Sequence, residues 1–155
     1  MSVRVPGLIT DFSPIIVRQV SGSMTDETMR AQLDATAIEL HRAQAAGLRT
    51  VTIIDLSQAA GATAAQREMQ TDWLTRHDDV LRRVSLGTAF VVRSQMVRGA
   101  LTGIFWLRPL PHEYTITTSL DAALDWAIDR LVSQGIAPPD RLVRARTRAL
   151  LELTG

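Results

Sequence analysis

Cysteine, lysine and asparagine are all missing from this 155-residue chain. Without cysteine there is no disulfide, no thiolate zinc site and no cysteine nucleophile, which suits a reducing compartment. Without lysine there is no Walker-type phosphate loop and no Schiff-base nucleophile. Long hydrophobic runs are missing too. The longest, Gly99 to Leu107, is about half of the ~20 residues that a membrane-spanning helix needs. The start, MSVRVPGLITDF, lacks the basic-then-apolar layout of a secretory signal. The expectation is a soluble, cytoplasmic protein.

What is present is ordinary for a globular chain: 46% apolar and 21% charged residues. At this length one domain buries about 68–70% of its unfolded surface without staples. All 17 basic residues are arginine. That composition suits bidentate recognition of phosphate or carboxylate, and it equally suits a GC-rich genome whose codons favour arginine and alanine. Net charge is +1, with 13 Arg against 14 Asp/Glu in residues 1–139 and 4 against 2 in residues 140–155. Such weak totals argue against a nucleic-acid binder, which carries a strongly basic face.

The stretch Leu86 to Leu107, LGTAFVVRSQMVRGALTGIFWL, is the most informative. An apolar strand (Leu86 to Val92) meets a polar break at Arg93-Ser94-Gln95, then an apolar helix stops before Pro109. A strand apolar on both faces belongs inside a sheet covered by helices. Val51 to Leu56 (VTIIDL) is a second such strand, and Leu8 to Phe12 with Ile15 to Val20 form a pair meeting at Ser13-Pro14. Thr25 starts a helix whose buried face is Met29, Leu33, Ala37, Leu40 and Ala43, ending at Gly47. Thr63 with Gln66 makes a capping box for a helix running to about Arg83. Glu113 to Thr118 is an alternating edge strand, and Ser119 caps a helix through Leu131. The order is β-β-α-β-α-β-α-β-α, followed by a break at Gly135 to Pro139 and a terminal helix from about Asp140 to Leu153. Strands alternating with helices predict mostly parallel pairing.

This order, with the segments VTIIDLS (Val51 to Ser57), TAFVVRSQMVRGAL (Thr88 to Leu101) and TSLDAALDWAIDRL (Thr118 to Leu131), resembles the STAS (SpoIIAA-like) family of anti-sigma factor antagonists. The resemblance covers roughly Leu8 to Val132. It implies an α/β STAS fold with a four- to five-stranded mixed, mostly parallel sheet over residues 1–135, and the break at Gly135 to Pro139 sets off a C-terminal helical extension over 136–155. It further implies a non-catalytic, regulatory, protein-binding role, or the holding of an apolar, lipid-like small molecule. The family's regulated members carry a phosphorylatable serine in an Asp-Ser-Ser-Gly turn. Here that turn is replaced by Ser57-Gln58-Ala59-Ala60-Gly61-Ala62-Thr63, so Ser57 and Thr63 are the only nearby hydroxyls for a phosphosite.

A third reading, an enzyme of unrecognised type, finds little footing in the residues. Asp55 resembles the phosphoacceptor of a receiver domain, but the early acidic pair and late lysine are missing. His41, His77 and His112 show no metal spacing, and no Gly-x-Ser-x-Gly elbow or Gly-x-Gly-x-x-Gly turn occurs. No cofactor, metal or catalytic residue is expected. Asp121, Asp125 and Asp129 repeat at i+4 and suit a solvated face or a basic partner. Arg141, Arg144 and Arg148 line one side of the terminal helix and suit docking or self-association.

The candidate binding surface is therefore the Ser57–Thr63 loop, with Gln58, and the neighbouring helix start at Arg93, Ser94, Met96 and Arg98. Both lie beyond carboxyl ends of strands, where open α/β sheets bind ligands, and free helix N–H groups there can hold an anion. Ser57, Thr63 and Ser94 also suit plain capping. Phe105 and Trp106 lie in a helix apolar nearly all round, which marks a dimer interface or an apolar ligand groove if the domain leaves it uncovered. The expected partners are another protein, a second copy in a homodimer, or an apolar small molecule.

Overall fold

The computed structural model describes residues 4–22, 24–60 and 62–140. Among the described residues the elements follow the predicted order with one helix more than expected: β1 (Leu8–Phe12), β2 (Ile15–Ser21), α1 (Asp26–Ala45), β3 (Thr50–Gln58), α2 (Ala64–Arg76), α3 (Asp78–Val84), β4 (Ser85–Val91), α4 (Gln95–Leu107), β5 (Tyr114–Thr117) and α5 (Leu120–Ser133). They form an α/β fold around one mixed sheet of order β1-β2-β3-β4-β5. The β1–β2 pair is antiparallel; every other pair is parallel.

Strands laid down in chain order, joined by crossovers of one hand, deliver their crossover helices to one face. The core divides accordingly. Ile16 on β2 packs with Met29, Leu33 and Leu40 of α1, Trp73 of α2 and Val80 and Val84 of α3. Phe90 on β4 packs with Val97 and Leu101 of α4. The opposite face, carrying Val17, Val51, Ile53, Ala89 and Val91, is covered by Ala123, Leu124, Ala127 and Leu131 of α5. Burial on both faces is why β4 is buried at every position and why VTIID and TAFVV read as unbroken apolar runs.

The helix predicted from Thr63 to about Arg83 is two helices. Its chain breaks at His77 (φ −111°, ψ 15°), and the break lets Trp73 donate its indole N–H to the Leu33 carbonyl at 2.9 Å while Val80, Leu81 and Val84 turn into the core. The expected terminal helix, with Arg141, Arg144 and Arg148, lies beyond the described residues. Among the described residues no helix is long and apolar enough to cross a membrane.

Because α5 alone covers the second face among the described residues, its buried leucines carry much of that layer. Leu124→Ala, at a side chain with 0% exposure, is expected to lower unfolding free energy by about 2–5 kcal/mol, read from the urea midpoint by circular dichroism.

Candidate functional site

The carboxyl ends of β2, β3 and β4 open into a cleft of about 510 Å³, between the start of α1 (Met24, Thr28) and the start of α5 (Leu120). Of the residues expected there, Ser57, Gln58 and Arg93 line it, together with Asp55. The strand expected to stop at Leu56 continues to Gln58, which still pairs with Ser21. Ser57 and Gln58 are thus strand-end residues rather than loop residues. Asp55 Oδ1 accepts the Ser57 backbone N–H at 2.9 Å, so that carboxylate shapes the strand end. Arg93 is exposed, its Nε 3.4 Å from the Thr118 carbonyl oxygen. The strand order never reverses, so this cleft is not the switch-point crevice of a doubly wound sheet.

The other expected residues fall elsewhere. Thr63 Oγ1 accepts the Gln66 N–H at 3.1 Å and Gln66 Oε1 accepts the Thr63 N–H at 3.2 Å, the predicted capping box. Ser94 Oγ faces the Val97 N–H at 3.4 Å as the cap of α4. Met96 and Arg98 are exposed on the first turns of α4 and do not line the cleft. Trp106 sits at the far end of that helix, about 18 Å from Ser94 at 1.5 Å per residue. Phe105 turns inward, stacking on Phe90 (5.3 Å between centroids) and Tyr114 (4.9 Å). One recognition surface therefore cannot include them all.

Phe105 leads to a site that sequence reasoning missed. Between the sheet and α1, α2 and α4 lie two adjoining cavities of about 70 Å³ each, sharing Ile54, Gln70, Phe90, Leu101 and Ile104 in their walls. One of them is lined by Arg18 and His112 as well as by Trp73, Leu74 and Phe105. Arg18 lies mid-strand in β2 and is only 4% exposed. Its Nε donates to Gln32 Oε1 at 3.0 Å, while its buried Nη2 has no hydrogen-bond partner. Among the described residues no carboxylate pairs with it. Burial lowers the guanidinium to about pKa 10, which still leaves it charged at neutral pH.

The support beneath Arg18 is well ordered. Gln32, fully buried, donates from Nε2 to the carbonyl oxygens of Pro6 (2.8 Å) and Gln19 (2.9 Å). Gly7 takes φ +80°, and a Cβ there would press into the Gln32 amide and come within 2.6 Å of the Gln19 carbonyl oxygen. The sequence signal was available: an arginine inside the apolar run IIVRQV, on the same side of the strand as Ile16 and Val20.

His112 completes the wall. Its Nε2 is 2.7 Å from Thr88 Oγ1, and its buried Nδ1 has no partner. Burial pulls its pKa down to about 4. Elsewhere His41 and His77 meet edge to face at 6.0 Å, and among the described residues no three His, Asp or Glu side chains gather as a metal site. No protein-family model matches the chain, and no curated protein matches it significantly.

A histidine whose folded pKa lies below its unfolded value binds its proton mainly in the unfolded state, so stability is present above about pH 6.5 and is lost as pH falls toward 4. His77, lowered first by burial and then by the charges of His41 and Arg76, acts in the same sense. Unfolding free energy is therefore expected to decline from pH 6.5 to 4, and His112→Gln is expected to flatten part of that decline in urea titrations at each pH.

Proposed function

We propose that this chain is a STAS-type (SpoIIAA-like) regulatory module that works by binding rather than catalysis, and that its ligand is a small, largely apolar molecule held between the sheet and α1, α2 and α4. The observation that carries the reading is the pair of adjoining cavities beneath α4, into whose wall a buried, incompletely partnered Arg18 is built. Supporting the STAS assignment are the consecutive strand order, the antiparallel first pair and the segregation of α5 to the opposite face.

A catalytic role gains no support from the cavity's best-placed pair. Thr88 and His112 are within hydrogen-bond reach, yet no third group orients the imidazole, and a histidine held near pKa 4 is a feeble base at neutral pH. Protein purified from its own host is expected to show a small-molecule adduct by native mass spectrometry. Leu101→Trp, which fills the wall common to both cavities, is expected to abolish that adduct while leaving the circular dichroism unchanged. No adduct on the unmodified protein, or an adduct that survives Leu101→Trp, counts against the reading.

A second reading, self-association, is favoured by the outer face of α4. Met96 (75% exposed), Trp106 (85%) and Leu107 (82%) lie on it, and Gly99 and Gly103 between them have open space above. This is the apolar-all-round helix of the sequence, covered on one side only. A second copy could bring its own α4 close over the glycines, and the expected dimer is read by size exclusion with light scattering. Trp106→Glu is expected to shift it to monomer.

A further inference from the structure

We infer that the molecule held in this cavity is an anion: a compact monocarboxylic acid whose carboxylate pairs with the Arg18 guanidinium and whose apolar body lies against Ile54, Phe90, Leu101 and Ile104. The inference rests on the pocket reading above and names the chemistry of its occupant.

A guanidinium taken out of water loses hydration worth several kcal/mol, recovered only when an opposite charge and its hydrogen bonds replace it. Arg18 has one neutral amide instead. Gln32 takes Nε, and Nη2 remains without a partner. The edge left over is the end of the fork that carries Nη2, which accommodates the two oxygens of a carboxylate.

The neighbouring side chains do not supply that anion. His112, which lines the same cavity, is neutral at pH 7, and its buried Nδ1 has no partner. Thr36 Oγ1 already donates to the Gln32 carbonyl oxygen at 2.7 Å. A phosphate monoester, with close to two charges and three terminal oxygens, would find fewer donors than it needs, whereas a carboxylate matches the single cation.

Size narrows the class further. Two lobes of about 70 Å³ each together approach the ~150 Å³ of a cavity known to hold benzene, so the fitting apolar body has about six non-hydrogen atoms, as the phenyl ring of benzoate does and the five-carbon tail of hexanoate nearly does, with the carboxylate reaching Arg18. Entry is short. Ala100 and Ile104 line the inner cavity and also an outer groove between α2 and α4, so these two side chains form the partition.

The test is calorimetric titration of the full chain with hexanoate and benzoate, each against its alcohol of matched shape, 1-hexanol and benzyl alcohol, and with hexyl phosphate. The acids are expected to bind at least tenfold more tightly than the alcohols, and Arg18→Met is expected to erase that difference while leaving alcohol binding in place. The comparison on the unmodified chain needs no variant to fold. Equal binding of acid and alcohol overturns the anion assignment and leaves the pocket standing. Tighter binding of hexyl phosphate than of hexanoate overturns the carboxylate. If neither acid nor alcohol binds, or Leu101→Trp binds both undiminished, the pocket reading falls and this inference with it.

Discussion

Four parallel strands laid side by side in chain order leave their crossover helices no choice of face. With every crossover of one hand, α1 to α4 accumulate on one side of the sheet, and the other side waits for α5. The consequence is an asymmetric molecule. The α5 side is a thin layer in which one helix with four buried residues, Ala123, Leu124, Ala127 and Leu131, closes on small and β-branched strand positions. The other side must seat four helices over the same sheet, and there the packing leaves space.

That space coincides with the polar centre of the sheet. On the α1–α4 side the strands contribute Arg18, Thr52 and Thr88 among Ile16, Ile54 and Phe90, and all three line the cavity. An interior built for stability alone would place aliphatic side chains at such positions, because buried polar groups gain little even when satisfied and cost about 1–3 kcal/mol when they are not. Arg18 instead is retained and braced. Its partner Gln32 is tied to Pro6 and Gln19, and the backbone at Gly7 is folded close over that amide. One hydrogen bond from Nε to this braced amide positions the guanidinium and leaves Nη2 buried without a partner.

Most of the fold was legible because its signals are local. The apolar runs VTIID and TAFVV, the caps Thr25, Thr63, Ser94 and Ser119, and the edge alternation of EYTITT each report on a few neighbouring residues. His77 was harder, since the break there goes with a Trp73–Leu33 bond across forty positions of sequence. The strand end at Gln58 was likewise set by its partner Ser21. The cavity was least legible. Arg18, Gln32, Thr88 and His112 come from four separate segments, and only the lone arginine in an apolar strand marked any of them in advance. Carboxyl-end reasoning named Ser57, Gln58 and Arg93, which line one cleft, but had no means of separating them from Phe105 and Trp106.

Helix α4 joins the two halves of the functional argument. Val97, Leu101, Ile104 and Phe105 face the sheet and roof the cavity, while Met96, Gly99, Gly103 and Trp106 face outward. An occupant under Leu101 and Ile104 that shifted α4 would move the outer stripe along with the inner one. Coupling of that kind is reciprocal: whatever favours one position of the helix through its outer face alters affinity for the occupant beneath by the same factor. The apolar character of α4 on nearly every side exceeds what one core requires, since only the face of Val97, Leu101, Ile104 and Phe105 meets the sheet.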